Sequence, residues 1–129
     1  MEIQEIVANG VHNAPGYAQA YKVQGASTVI FTSGQVALTE AGEPCHLGNF
    51  RAQAELVLES VRRLVEAGGS SIDRIVKLTV FLTDARHRPE FAQIRDAFFK
   101  RKVPPISIIE VGALMRPEWM IEIEAIAIV

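Results

Sequence analysis

The stretch Val103–Val129, VPPISIIEVGALMRPEWMIEIEAIAIV, decides how this chain folds. It contains two apolar runs, Ile106–Val111 and Trp119–Val129, on either side of the turn-forming segment Gly112–Pro117. Apolar runs separated by glycine and proline are typical of a β-hairpin or of two neighbouring strands. The sequence therefore predicts that the chain ends in two β-strands.

The second run alternates so that two acids share one face of the predicted strand. Successive side chains of a strand point to opposite faces. One face collects four apolar side chains, Ile121, Ile123, Ala125 and Ala127. The opposite face carries Met120, Glu122, Glu124 and Ile126. Two carboxylates on so apolar a strand either face water or a pocket, or are buried with partners.

The composition is that of one globular domain spanning residues 1–129. Apolar residues make up 49% of the chain and charged residues 22%, which excludes general disorder. The net charge of −2 gives no basic surface for nucleic acid, so we expect no nucleic-acid partner.

The cysteine content and the N-terminus bear on the compartment. Cys45 is the only cysteine, so no disulfide can form within the chain. Cys45 and His46 lack a third residue at a spacing that would make them a nucleophilic or metal-binding site. The acidic segment Met1–Gly10 has no long apolar run, so we expect no signal peptide. No apolar segment approaches the ~20 residues of a membrane span, and a cytoplasmic protein with no membrane partner is expected.

Two helices are predicted. The first begins at Phe50, is capped by Asn49 and stops at Gly68–Gly69. Its apolar side is Phe50, Ala54, Val57, Val61, Leu64 and Val65. The second begins at about Pro89 and is ended by Pro104–Pro105.

Three strands are predicted before the first helix and one between the helices. Ile3–Val7, Tyr17–Val23 and Thr28–Thr32 precede the first helix, and a glycine turn indicates that the last two form a hairpin. Ile75–Leu82 lies between the helices. The order β-β-β-α-β-α-β-β predicts an α+β sandwich, a mixed sheet of about six strands with two helices on one face. The other face would stay uncovered, so we expect a homo-oligomer.

Four segments resemble one known family. They are Pro15–Ala20 (PGYAQA), Thr32–Gln35 (TSGQ), Val76–Asp84 (VKLTVFLTD) and Ile121–Ala127 (IEIEAIA). In this order and spacing, along essentially the whole chain, they resemble the Rid/YjgF family of reactive-intermediate (enamine/imine) deaminases. The resemblance implies a chorismate-mutase-like fold and a homotrimer with small-molecule pockets between its subunits.

The resemblance also implies a reaction, the hydrolysis of a 2-enamine or 2-imine acid to a 2-oxo acid and ammonia. In the family an arginine before the serine of the fifth strand holds the substrate carboxylate by a two-pronged ion pair. This chain has Ile106 at that position, and Ala92 where the family often has asparagine. We therefore expect an altered substrate and little acceleration of the usual 2-imino acids.

The resemblance assigns the remaining site residues. Glu122 would orient the attacking water, although Glu122 and Glu124 could instead pair with Lys77 or an arginine. Tyr17 would wall the pocket or be only a packed aromatic, and Gly34 would approach the ligand or be only a turn glycine. The other substrate-binding positions are Ser33, Gln35, Ile106 and Ser107.

No metal or organic cofactor is expected, because the imine carbon is already electrophilic and water is the nucleophile. Four arginines could replace the missing cation, although surface positions are favoured for each of them. They are Arg86, Arg88, Arg95 and Arg116. The sequence thus predicts a deaminase-like hydrolase with an altered substrate. The alternative is a non-catalytic trimer that binds a small metabolite or serves regulation.

Overall fold

The computed structural model describes every residue from Met1 to Val129, and its order of elements is the predicted one. The elements are β1 (Glu2–Ile6), β2 (Ala20–Gln24), β3 (Val29–Phe31), α1 (Phe50–Ala67), β4 (Ile75–Leu82), α2 (Arg88–Phe99), β5 (Ile106–Glu110) and β6 (Ile121–Ile128). Short 3₁₀ turns at Ile72–Arg74 and Ala85–His87 precede β4 and α2. The predicted α+β class is confirmed.

The six strands form two sheets, where the sequence predicted one. β1 and β2 pair antiparallel, and the other four strands run in the order β3-β6-β4-β5. β4 is parallel to β5 and antiparallel to β6.

The predicted hairpin of β2 and β3 is wrong, and β5 and β6, predicted as a hairpin or as neighbouring strands, are not adjacent in the sheet. β2 pairs with β1 and β3 with β6, while β4 lies between β5 and β6. The two longest strands, β4 and β6, bury one face each and therefore take the centre of the larger sheet. The short β5 reaches the sheet through the helical crossover α2, which makes it parallel to β4 and leaves it at an edge.

Helix α1 has the predicted ends. The Asn49 side chain accepts a hydrogen bond from the backbone N–H of Ala52 at 3.0 Å, and Gly68 caps the C-terminus. The predicted buried side is wrong at Leu64, which is 43% exposed. Gln53, which the apolar pattern passed over, is fully buried instead.

The two helices lie on one face of the larger sheet, as predicted, and share one core with it. The core residues of the two central strands are Ile75, Leu78, Val80, Leu82, Ile121, Ile123, Ala125 and Ala127. A bulge between Ile75 and Lys77 turns Ile75 into the core. Neither helix combines the length and the apolar character that crossing a bilayer requires.

No helix covers the face of the larger sheet that points away from α1 and α2, and the loop after β5 reaches it only beside Phe81 and Glu122; we call it the open face. Its side chains include Lys77, Thr79, Phe81, Ser107, Ile109, Glu122 and Glu124. Phe31 of β3 belongs to the same face and is 72% exposed. The open face therefore combines polar groups with exposed apolar surface.

Candidate functional site

A cleft of about 440 Å³ lies where α2 and the segment before β2 approach the edge strand β5; we call it the edge cleft. Its principal lining residues are Gly16, Tyr17, Arg88, Ala92, Arg95, Ile106, Ile108 and Glu110. It therefore combines an apolar wall with two cations and one acid, and its volume suits a small molecule.

Backbone pairing holds Tyr17 in this cleft. The N–H of Ala18 donates to the carbonyl of Val103 at 2.9 Å, and the N–H of Val103 donates to the carbonyl of Gly16 at 3.1 Å. Ala18 and Val103 are buried, and Tyr17 packs against the core while one side faces the cleft. Tyr17, which was predicted to wall a pocket or to be only a packed aromatic, thus lines the edge cleft.

Ile106 and Ser107 point to opposite faces of β5. Ile106 pairs with the buried Leu78 and lines the edge cleft, next to Ala92 of α2. Ser107 belongs to the open face and accepts a hydrogen bond from the Lys77 Nζ at 2.9 Å. Of these two predicted substrate contacts, only Ile106 lines the cleft.

Two of the four candidate arginines reach the edge cleft. The expectation of a surface position is wrong for Arg95, whose side chain is 11% exposed, while Arg88 is exposed at the same cleft. Arg86 points into solvent and binds Asp84, holding the pKa of that carboxyl down to about 2. Arg116 binds Glu118 at 2.9 Å.

Glu122 lies outside the edge cleft, on the open face. There it borders a depression of about 230 Å³ whose other walls include Phe81, Leu114 and Met115. Burial among these groups, with a smaller effect of the negative charge on Glu124, raises the pKa of the Glu122 carboxyl above its usual value. No cation offsets this, because the Lys77 ammonium is turned to Ser107, so the expected pairing with Lys77 is not found within one chain.

The glutamate is held over Gly34. Gln35 and Ile123 exchange two backbone hydrogen bonds, at 2.7 and 3.0 Å, and this bridge brings Gly34 under the Glu122 side chain. A Cβ on Gly34 would lie 2.6 Å from Glu122 Cδ and 2.9 Å from Cγ. The backbone of Gly34 does not have positive φ, so close approach to Glu122, and not turn geometry, requires glycine here.

The predicted site residues therefore fall into two groups within one chain. Tyr17 and Ile106 meet in the edge cleft, on the side of the sheet that the helices cover. Gly34 and Glu122 meet on the open face, since Glu122 pairs with Phe81. Ser33 and Gln35 lie beside the second group, with the Gln35 amide donating to the Ser33 carbonyl at 3.1 Å and Ser33 itself exposed.

Sequence reasoning named Arg95 but could not place it. Arg88, Ala92 and Arg95 recur at helical spacing, which puts them on one side of α2. Because Ala92 was matched to a family pocket position, that spacing was the available signal. No group of three or more histidine, cysteine, aspartate or glutamate side chains is arranged to hold a metal ion.

Comparison with known proteins gives a consistent result. Residues 9–129 match the family described as Endoribonuclease L-PSP. The 3-aminoacrylate deaminase RutC of Acinetobacter baylyi is 29% identical over 79% of this chain and 80% of RutC. The crystal structure of Escherichia coli TdcF with bound serine has a TM-score of 0.72 at 33% identity, covering 91% of this chain and 94% of TdcF. YyfB of Yersinia pestis, from the conserved Rid protein family, has a TM-score of 0.88 at 25% identity and covers 100% of both chains.

Proposed function

This chain belongs to the Endoribonuclease L-PSP (Rid/YjgF) family, and from that premise we propose that it hydrolyses a small enamine or imine to a carbonyl compound and ammonia. The observation that carries the proposal is the setting of Glu122. Its carboxyl is held against Gly34 among apolar side chains, with a raised pKa and no cation. A raised pKa makes the carboxylate a stronger base toward a water proton.

In the proposed reaction the C=N carbon is the electrophile. The water oxygen forms a bond to this carbon while Glu122 takes one water proton, and as the C=N π bond opens the nitrogen takes a proton from solvent, giving a carbinolamine. The nitrogen then receives the proton held by Glu122 and leaves as ammonia when the C–N bond breaks, while the hydroxyl releases its proton to solvent and becomes the carbonyl. An enamine enters the same path after protonation of its β-carbon to the imine.

We propose that the site is completed between copies of the chain. Tyr17 and Ile106 lie on one side of the sheet and Glu122 on the other, so one chain cannot present them to the same substrate. The open face carries exposed Phe31 and Ile109, whose contact with water is unfavourable. Packing of these faces in a homotrimer, as the family resemblance implies, would bring the acid of one copy toward the cleft of another.

The apolar wall of the edge cleft bears on the substrate. Ile106 and Ala92 offer no hydrogen bond, and both stand where the family resemblance implies polar side chains. An apolar substituent on the imine carbon would fit against this wall. The proposed substrates are therefore small imines or enamines with a short apolar side chain.

The test is imine hydrolysis with semicarbazide trapping. An amino-acid oxidase generates 2-iminopropionate or 2-iminobutyrate, and a set of neutral imines is followed in parallel. We expect acceleration of at least one substrate and a loss of about 100-fold or more in Glu122→Gln, because general acid–base catalysis contributes that much. Glu55→Gln, an exposed glutamate on α1, is the matched control.

Two outcomes would contradict the proposal: no imine is hydrolysed faster than in buffer, or Glu122→Gln is as active as the wild type. The alternative is a trimer that binds a metabolite without turnover, which the apolar wall at Ile106 and Ala92 favours. A ligand-dependent rise in Tm without ammonia release would support that alternative.

A further inference from the structure

We propose that the edge cleft is a carboxylate-binding site whose anchor is Arg95 of α2, assisted by Arg88 at the cleft mouth. Ile106 stands where the family has a cation, and Arg95 would supply that cation from α2, on the other side of the cleft. The identity of the substrate rests on the proposed function, whereas carboxylate binding itself can be measured without turnover.

The geometry of Arg95 supports this assignment. Its side chain is 11% exposed, and its Nε donates to Asp96 Oδ1 at 3.1 Å, which fixes the guanidinium orientation. Its two terminal nitrogens make no hydrogen bond to the protein, and Nη2 lies 3.9 Å from where a Cβ on Gly16 would be. A largely buried guanidinium with both terminal nitrogens free can hold a carboxylate through two parallel hydrogen bonds.

The charge of the cleft favours an anion. Arg88 lines the cleft and forms no ion pair. Glu110 is the only acid in the lining, and its Oε2 is occupied by the backbone N–H of Ala85 at 2.7 Å. The lining therefore holds two arginines and one glutamate, with Asp96 paired to Arg95 from outside the lining. The apolar wall weakens solvent screening of these charges.

The apolar side of the cleft selects among anions. Ile106, Ile108 and Leu82 line it and provide no donor or acceptor side chain. Inorganic phosphate, which has oxygens on every side, would leave some of them against this wall. A monocarboxylate with a short aliphatic chain places its charge on Arg95 and its chain on Ile106, as a 2-oxo or 2-imino acid would. With Arg95 as the anchor, the expectation of little acceleration of 2-imino acids no longer follows from Ile106 alone.

The experiment is a calorimetric titration of the assembled protein with 2-oxobutyrate, a stable acid that resembles the product. The neutral ketone 2-butanone and inorganic phosphate are the comparison ligands. We expect 2-oxobutyrate to bind most tightly of the three. Arg95→Met, which keeps the apolar stem, should weaken its binding by about 10- to 100-fold. Arg86→Gln, an arginine outside the cleft, should leave the Kd unchanged.

A second pair of variants tests the assignment if Arg95→Met folds poorly. Arg95→Lys keeps the positive charge but lacks the two parallel N–H donors of a guanidinium, and it should weaken the binding of 2-oxobutyrate about tenfold. Ile106→Arg should restore binding in either variant, because it returns a cation to the opposite wall. The proposal is overturned if 2-oxobutyrate binds no tighter than 2-butanone or phosphate, or if an Arg95 variant with wild-type Tm binds it as the wild type does. Tight binding without ammonia release would instead refute only the proposed function.

Discussion

The acid of Glu122 shows how one side chain couples stability to pH. Burial raises its pKa, so deprotonation destabilises the folded state once the pH exceeds the ordinary glutamate pKa of about 4.3. Glu122→Gln removes this effect and should unfold at a higher Tm than the wild type at pH 8. The difference should shrink as the pH falls through the pKa of folded Glu122 and should vanish below the ordinary value.

Thermal denaturation of both proteins between pH 4 and pH 8 checks the direction in which the Tm difference changes with pH. Glu55→Gln, where the carboxylate is solvated, serves as the control and should show no such trend. A wild type that is more stable than Glu122→Gln at pH 8 would mean that a cation, for example from a neighbouring copy, pairs with Glu122.

Gly34 provides an independent test of the same carboxyl. Gly34→Ala brings a methyl group into contact with Glu122, whose flexible side chain must swing outward to make room. We expect imine hydrolysis to fall by at least about tenfold, since the base loses its position. The free energy of unfolding should change little, because the displaced Glu122 carboxyl moves into solvent. An NMR titration should show the Glu122 pKa returning toward its usual value.

Gly112→Ala is the comparison for that experiment, because a Cβ at Gly112 meets nothing within 4 Å. It should leave both the rate and the Glu122 pKa unchanged. If Gly34→Ala behaves like Gly112→Ala, the close approach of Gly34 to Glu122 has no functional role.

Residue-level prediction from sequence succeeded where neighbours along a strand decide the environment. Alternation along β6 was enough to put Glu122 opposite Ile121 and Ile123, and the burial pattern confirms it. Arg95 was different, because its surroundings depend on Gly16 and Ile106, which come from distant parts of the chain. Helical spacing showed which side of α2 Arg95 occupies but not what lies beside it.

At the scale of elements, Gln53 connects α1 to the chain that leads into β6. Its Nε2 donates to the carbonyls of Glu118 at 2.9 Å and His46 at 3.2 Å, and its Oε1 accepts from the N–H of Met120 at 2.9 Å. Gln53→Ala would leave the Glu118 carbonyl and the Met120 N–H without partners, while the His46 carbonyl keeps its hydrogen bond from the N–H of Asn49. We expect the free energy of unfolding to fall by at least about 2 kcal/mol.

Denaturant unfolding measures this loss, and Gln93→Ala on the exposed side of α2 is its control. Hydrogen exchange should also locate the effect, with faster exchange at the Met120 amide. Equal stability of Gln53→Ala and the wild type would show that water replaces the amide without cost.

The pairing of strands was the part of the fold that sequence could not supply. Periodicity placed β4, β5 and β6 to within two residues and identified the apolar face of β6. It contains no information on which strand is the neighbour, and chain proximity then favoured pairing β2 with β3 and β5 with β6, which the structure lacks. The order of the strands follows from burial of the whole sheet, because the two longest strands, each with one continuous apolar face, become central.

For the whole molecule, the open face makes assembly testable. We expect sedimentation of the wild type as a trimer. Phe31→Glu should sediment as a monomer, because it puts a charge on a 72% exposed apolar side chain of the open face. Leu47→Glu, at a 64% exposed leucine before α1, should remain assembled. A trimer of Phe31→Glu would place the contact surface elsewhere.

The separation of the edge cleft from Glu122 has a consequence for assemblies that mix two variants. If each site takes its cleft from one copy and its acid from another, two impaired variants can complement each other. Arg95→Met chains supply an intact Glu122, and Glu122→Gln chains supply an intact cleft. Unfolded together in equal amounts and refolded, they should recover roughly a quarter of the wild-type rate, the fraction of random interfaces with both halves intact. Mixed after folding, they should remain inactive for as long as subunits do not exchange.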